Sequence, residues 1–382
     1  MTLFKTKPLV LIFLFSVSQL SCGQENIPKI EVPKNINYSY EVVVNDIEVP
    51  WGISFISKGE FLVTEQSGKL FLIKNGIKNE VTGLPPVYFR DQGGLLDVAI
   101  HPNFSENKLV YLTMSTNLPD NKKGGNTGLF CGKLEGLKLI NIKILYKATP
   151  DTKSVKHWGS RIVFDNNGHV FFSIGDRGNR DLNPQDISRD AGKIYRLKLD
   201  GTIPDDNPFL SESNAKKAIY SYGHRNPQGM TINPKTGEIW EHEHGPRGGD
   251  EINIIKSGFN YGWPKVTYGK DYLDYFGTSP LGKKTTDPKV EEPFYYWIPS
   301  IAPSGMAFST SNIYDGWKDN LFVGSLKFQY LERIIIKENK VVKRQKILDG
   351  IGRVRSVVEG PEGYLYIGVE GKGVLKILPK ND

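Results

Sequence analysis

The sequence predicts an all-β fold, a six-bladed β-propeller of four-stranded antiparallel blades whose ring is closed by pairing of its N- and C-terminal strands. Three observations carry this expectation. First, 382 residues with 40 Gly, 18 Tyr and 19 Phe read as many short strands and tight turns, with little of the 3.6-residue apolar periodicity that helices need. Second, a unit of turn, short apolar strand, polar loop and second strand recurs six times, as in "GEFLVTEQSGKLFLIKNG" and "GYLYIGVEGKGVLKILPK", starting near Gly59, Asn107, Gly168, Gly237, Asp319 and Gly363. One such unit cannot bury its faces alone, so neighbours must pack around an axis. Third, the last unit offers three strands, "VRSVVEG", "GYLYIGV" and "GVLKILP", while "YSYEVVV" at 38–44 lacks a partner in the first unit. Joining the two completes a blade.

The N-terminus opens with Lys5 and Lys7, an apolar run from Leu9 to Val17, and small residues before Cys22. This is the pattern of a secretory signal and is too short for a membrane span. The "SQLSC" end is similar to a bacterial lipoprotein cleavage site, with Gln19 in place of the usual aliphatic residue. The expected organisation is therefore a signal peptide over 1–22, a polar tether over 23–38, and one propeller domain over 39–382. The mature chain would be exported, periplasmic or at the cell surface, touching the membrane only through a lipid on Cys22. Cys131 is then an unpaired thiol, whereas an ordinary signal would leave Cys22 able to pair with it. The net charge of +7 is scattered through turns rather than interleaved with aromatic residues, so it reads as a solvated surface and not as a nucleic-acid interface. There is no P-loop, no GxGxxG after a strand and no CxxCH, which argues against a bound nucleotide or a c-type haem.

The stretch "HWGSRIVFDNNGHVFFSIGDRG", residues 157–178, carries the first candidate site. An Asn-Gly pair between apolar runs predicts a two-residue hairpin turn. With Asn166 opposite His169, His157 falls opposite Gly178 and diagonal to Asp176. An imidazole fixed by a carboxylate has a set tautomer and a more basic free nitrogen, as a general base requires. The same pair reads equally as a structural bond closing the hairpin, and the residues alone leave both readings open.

Three further groups stand out. In "SYGHRNPQG", His224, Arg225 and Asn226 precede a proline and project from a rigid loop. In "EIWEHEHGPRGGDEIN", His242 and His244 share one strand face and Glu241 and Glu243 the other. The histidine pair would suit zinc, yet no third ligand and no HExxH accompany it. The "HGPRGGD" loop offers carbonyls to a hard cation such as calcium. Near the C-terminus, Lys327, Arg353 and Arg355 would clamp a polycarboxylate if their loops converge, and are ordinary surface charge if they do not. Residues 265–300 lack periodicity and read as an excursion over one face.

Taken together, "QGGLLDVAIHPNF", "HWGSRIVFDNNGHVFFSIGD", "GTIPDDNPF", "IYSYGHRNPQGM", "WEHEHGPRGGDEINII", "FNYGWP", "PSIAPSGMAFS" and "GRVRSVVEGPEGYLYIG" resemble the soluble glucose/sorbosone dehydrogenase family, in its aldose sugar dehydrogenase branch. These are quinoproteins that use pyrroloquinoline quinone (PQQ), and the resemblance runs in order from about residue 45 to 378. It implies a six-bladed propeller that oxidises aldoses to lactones and passes electrons to an external acceptor. His157 matches the family's general base, which removes the anomeric hydroxyl proton while hydride goes to the quinone, and Asp176 matches its carboxylate partner. Gln92, Arg225 and Asn226 match residues touching the quinone and a neighbouring carboxylate. Lys327, Arg353 and Arg355 match the cations that hold the remaining carboxylates. Gly245 and Pro246 match the pair whose backbone carbonyls bind a Ca2+ ion that polarises the quinone. His244 stands where glucose-type enzymes have glutamine, and their long insertions for a dimer interface and a second calcium are not recognisable, so a monomer is expected. Two other readings compete: a calcium-dependent propeller lactonase in which His157 activates water, and a sugar-binding propeller without chemistry.

Overall fold

The computed structural model describes residues 27–117, 124–274, 278–279 and 281–380; the expected signal peptide, Cys22 and the first part of the tether lie outside them. The described chain is almost entirely β, with one four-residue helix at Phe104–Asn107. Six antiparallel sheets follow one another around an axis. Blade 1 comprises Pro50–Ser57, Glu60–Glu65, Lys69–Lys74 and Ile77–Val81; blade 2 comprises Leu95–Ile100, Leu109–Thr116, Asn126–Glu135 and Lys138–Lys147. Blade 3 is built from Ile162–Phe164, His169–Ile174, Lys193–Lys198 and Ile219–Tyr222, and blade 4 from Pro227–Ile232, Ile239–Glu243, Asp250–Ile254 and Tyr295–Trp297. Blade 5 holds Pro303–Phe308, Leu321–Ser325, Tyr330–Lys337 and Lys340–Ile347. Blade 6 combines Val354–Glu359, Leu365–Val369 and Gly373–Pro379 with Tyr38–Val44, which pairs from Tyr38 opposite Pro379 to Val44 opposite Val374. The two ends of the chain thus close the ring as the sequence predicts. The repeats legible in the sequence start one or two residues before the second strand of each blade, so they are phased one strand late.

Three local features differ from expectation. Ile30–Glu31, inside the expected tether, pairs in parallel with Arg344 and Gln345 as a fifth strand of blade 5. Tyr295–Trp297, inside the expected irregular excursion, is the fourth strand of blade 4. The 157–178 hairpin turns through three residues, not two, because Ile162 faces Phe172 and Asp165 N donates to His169 O at 3.1 Å. The cause is the Asp165 side chain, whose Oδ1 accepts the backbone N–H groups of Asn167 at 2.9 Å and His169 at 2.8 Å. That Asx turn favours the longer loop, with Gly168 at φ +83°. His157 therefore lies not in the ladder but in the loop before it.

The apolar core sits between blades rather than within them. Leu62, Leu95 and Leu112 join blades 1 and 2; Tyr111, Phe172 and Tyr195 join 2 and 3; Phe171, Ile194 and Met230 join 3 and 4. Trp240, Trp297 and Leu321 join blades 4 and 5; Phe322, Leu331 and Leu365 join 5 and 6; Phe61, Val63 and Val374 join 6 and 1. At the axis, the buried guanidinium of Arg161 bonds Asp97 Oδ1 at 3.1 Å, Trp51 O at 3.2 Å, Gln228 O at 3.1 Å and Arg355 O at 3.4 Å. Those partners belong to the innermost strands of blades 2, 1, 4 and 6, so one side chain ties blade 3 to four others.

Strand alternation fixes where function can lie. Loops that enter an innermost strand and loops that leave a second strand all emerge at the same end of the ring. Gln92, His157, Arg225, Asn226 and Arg353 belong to the first class, and Asp176, Gly245, Pro246, Lys327 and Glu370 to the second. Arg355 lies in the innermost strand just past such a loop.

Candidate functional site

His157 and Asp176 meet at this end. The imidazole Nδ1 lies 2.6 Å from Asp176 Oδ1, the buried carboxylate acting as acceptor and the Nδ1–H as donor. That leaves Nε2 as the basic nitrogen of a side chain that keeps 13% of its surface exposed. The backbone that brings them together is unusual at His157. His157 sits at φ +56°, a region that costs an L-residue roughly 1–3 kcal/mol and persists only when its surroundings over-determine it. Its N–H donates to Gln92 Oε1 at 2.9 Å. Gly175 permits the approach, since a Cβ there would lie 2.4 Å from His157 O. Asp176 Oδ1 also accepts Gly178 N–H at 2.7 Å, and its Oδ2 accepts the indole N–H of Trp263 at 2.8 Å. Burial pushes the His157 imidazole below its ordinary value, helped by the charges of Arg225 and Arg177 and opposed by Asp176. Burial alone would raise the Asp176 carboxyl, but its hydrogen bond to His157, Arg225 and Trp263 hold it below the usual carboxylate range. The pair is thus a neutral imidazole on an ionised carboxylate. Trp263 lies in "FNYGWP", where nothing in the sequence gives it a role; it arrives from a loop 87 positions away.

Arg225 and Arg177 act on this pair, and further cationic groups share its end of the ring. Arg225 Nη1 donates to His244 O at 2.8 Å while its backbone N–H goes to Glu243 Oε2, and its buried Nε has no partner among the described residues. Asn226 Oδ1 accepts Gly159 N at 3.2 Å, and Asn226 N donates to Glu243 Oε2 at 3.2 Å. Arg353 and Arg355 converge, but on a carboxylate of the protein itself. Glu370 accepts from Arg353 Nε at 2.6 Å and from Arg355 Nε at 3.1 Å. Glu370 lies inside the last repeat, "GYLYIGVEGKGVLKILPK", and nothing in the sequence gives it a role. Lys327 is exposed, its ammonium 5.0 Å over the Phe328 ring and without a carboxylate partner among the described residues.

Gly245 is held by Asp250, whose Oδ1 accepts Gly245 N at 2.8 Å and whose Oδ2 accepts Ala302 N at 2.9 Å. Burial raises the Asp250 carboxyl to about 6. The Pro246 carbonyl already accepts Lys270 N at 2.9 Å, which leaves it one lone pair. His244 donates from Nε2 to Pro303 O at 2.7 Å and is pushed down to about 3 by burial. His242 is fully buried with neither ring nitrogen bonded among the described residues, while His244 Nε2 is taken up by Pro303 O. Beneath them, His224, Glu241 and Glu243 bring ligand atoms within 4.8 Å of one another in the buried interior of blade 4.

A six-bladed propeller whose one end gathers a histidine–carboxylate pair, an arginine with an unpartnered buried Nε and two further arginines on a shared carboxylate defines the class of protein. The comparisons narrow this. Residues 47–376 match the family model described as glucose/sorbosone dehydrogenase. The chain is 38% identical to the aldose sugar dehydrogenase YliI of Escherichia coli over 357 residues, 91% of this chain and 94% of that one. It is 25% identical to quinoprotein glucose dehydrogenase B of Acinetobacter calcoaceticus, covering 87% and 86% of the two chains. The apo-form crystal structure of the Escherichia coli aldose sugar dehydrogenase superposes with a TM-score of 0.85 at 36% identity, covering 90% of this chain and 99% of that one. The PQQ-bound aldose sugar dehydrogenase of Streptomyces coelicolor shares the fold at a TM-score of 0.71 and 24% identity, over 91% of this chain and 99% of that one. The chain belongs to the glucose/sorbosone dehydrogenase family.

Proposed function

We propose that the protein is a PQQ- and calcium-dependent aldose sugar dehydrogenase that oxidises the anomeric carbon of aldoses to lactones, with His157 as general base. The observation that supports this best is the 2.6 Å bond between His157 Nδ1 and Asp176 Oδ1, which leaves Nε2 unprotonated at the end of the ring where the cationic groups gather. The residues fit an anionic cofactor: among the described residues, the buried Nε of Arg225 has no acceptor and the exposed ammonium of Lys327 no carboxylate partner. Arg225, Asn226, Gln92, Lys327, Arg353 and Arg355 would hold PQQ, and the carbonyls of Gly245 and Pro246 would hold calcium. When bound, PQQ supplies a two-electron acceptor whose carbonyl the calcium polarises.

The chain's own residues do the rest. Asp176 fixes the imidazole's tautomer and orientation and stabilises the imidazolium once the proton arrives. His157 Nε2 takes the anomeric hydroxyl proton, which is far too weakly acidic to leave unaided at neutral pH. A positioned base of this kind contributes roughly 10²–10⁴-fold in rate. Gln92 holds the His157 backbone through its Oε1. The enzyme would act as an exported, lipid-anchored monomer delivering electrons to an external acceptor. The hydrolase reading would need carboxylates on a metal within reach of substrate, and the His224, Glu241 and Glu243 group is buried.

The test is reconstitution. The mature chain is mixed with PQQ and calcium, and dye reduction is followed with a panel of aldoses. Sugar-dependent reduction that requires both additions is expected. No reduction with any aldose, together with no spectral change on adding PQQ, overturns the reading.

A further inference from the structure

We propose that Arg177 is a positioning residue for the base, clamping the loop that presents His157 and setting the electrostatic balance of the His157–Asp176 pair. The proposal rests on the reading of His157 as the base. Arg177 follows Asp176 directly and is 1% exposed. Its guanidinium lies flat on the Trp158 indole, with Cζ 3.3 Å from the ring centroid. Nη1 donates to Lys156 O and Nη2 to Ser154 O. Trp158, under the same guanidinium, donates its own indole N–H to Val155 O at 3.0 Å. The carbonyls of residues 154, 155 and 156 are therefore all fixed by this stacked pair, and the next residue is His157 at φ +56°. A left-handed conformation at a non-glycine residue has to be imposed from outside, and this clamp imposes it. Only arginine offers a rigid fork that reaches two carbonyls while stacking on a ring.

The cost of this arrangement points the same way. Among the described residues Arg177 forms no ion pair, and its Nε has no partner. Burial pulls it down to about 9, with the charge of Asp176 opposing. A buried cation satisfied only by carbonyls is expensive, so loop stability alone is a poor reason to keep one. Its charge has a use beside the pair. The charged and titratable groups that act on His157 are Asp176, Arg177, Arg225 and His244. Arg177 and Arg225 both favour the neutral imidazole, which is the form a base must have.

Heteronuclear imidazole NMR of the apo full-length mature chain, titrated with pH, separates this from a merely structural role because it needs neither PQQ nor sugar. In Arg177→Lys the charge stays but the fork is lost. We expect a second His157 environment, loss of the single Nδ1–H resonance, and kcat of the reconstituted enzyme lowered about 100-fold with little change in KM. In Arg177→Met the His157 midpoint should also rise. If both variants keep wild-type circular dichroism, and His157 keeps its midpoint, its Nδ1–H resonance and its kcat, the proposal is overturned. If Arg177→Met does not fold, Arg177→Lys decides alone by the Nδ1–H resonance and kcat. Wild-type protein inactive with every aldose would overturn the dehydrogenase reading and leave the NMR comparison standing.

Discussion

Trp263 donates its indole N–H to Oδ2 of Asp176 at 2.8 Å, on the opposite oxygen from the one that binds His157. Both carboxylate oxygens are thereby occupied, Oδ1 by His157 and Gly178 and Oδ2 by Trp263. A carboxylate so held cannot rotate and is stabilised in its ionised form. The indole also lies beside the Arg225 guanidinium, with Cζ 5.2 Å from its ring centroid. One tryptophan thus joins the His157–Asp176 pair to Arg225.

Replacing Trp263 by Phe keeps the ring and removes the donor. A hydrogen bond to a charged group is worth about 1.5–3 kcal/mol, so kcat/KM should fall by roughly 10–100-fold. The acid limb of the wild-type rate profile should lie below the ordinary histidine value, because burial lowers His157 and activity is lost as pH falls through that depressed value. In Trp263→Phe the still-ionised Asp176 loses a donor that spreads its charge and so holds the imidazolium more strongly, which moves the acid limb up. Steady-state rates against pH check both statements; an unchanged kcat/KM would show the indole bond to be idle.

Much of this was legible in the sequence, for reasons specific to each part. Alternating apolar strands and glycine turns announce six blades because every blade must bury two faces, and the unpartnered 38–44 segment announces closure. His157 and Asp176 share one motif, so their meeting follows from a short loop even though the predicted hairpin register was wrong. What stayed hidden depends on side chains acting at a distance. Asp165 chooses the three-residue turn through its own carboxylate. Trp263, Glu370 and Arg161 carry no local signal at all, since each meets its partner across loops or blades. Tyr295–Trp297 is too short to announce a strand amid irregular sequence.

Acid should weaken the fold through His244. Its folded-state value is about 3, against roughly 6.5 when unfolded. The unfolded chain therefore binds a proton that the folded chain refuses, and stability falls as pH drops from near 6.5 toward 3. Asp250, raised to about 6, works with the opposite sign, its stabilising share being lost as pH rises through that value. His244→Gln can keep a donor toward Pro303 O while removing the titration. The difference in melting temperature between wild type and variant should shift steadily in the variant's favour from pH 6.5 to 4. A difference independent of pH would refute the assignment.

Arg161 should be among the most sensitive positions for stability. Arg161→Met releases contacts to Trp51, Asp97, Gln228 and Arg355 and leaves Asp97 ionisable and buried without its cation. Breaking a buried pair from one side costs about 3–5 kcal/mol. The midpoint of denaturant unfolding should fall accordingly. Adding Asp97→Asn should recover part of the loss, because the orphaned charge goes with it.

Glu370 gives the last prediction. It is the internal carboxylate on Arg353 and Arg355, and burial, which would raise it, is outweighed by Arg355 and Arg353, so it stays ionised. The Arg353 side chain is 45% exposed, so the ion pair is partly solvated and worth no more than about 1 kcal/mol. Glu370 therefore halves the positive charge that two arginines would otherwise offer an anionic ligand, while drawing both side chains onto one carboxylate. In Glu370→Gln the side chain still accepts one hydrogen bond but no longer neutralises charge. Binding of PQQ to the apo chain, followed by fluorescence, should tighten by about 3–10-fold at low salt, and the gain should fade as salt screens it. Weaker binding at every ionic strength would mean that Glu370 serves to aim the arginines rather than to balance them.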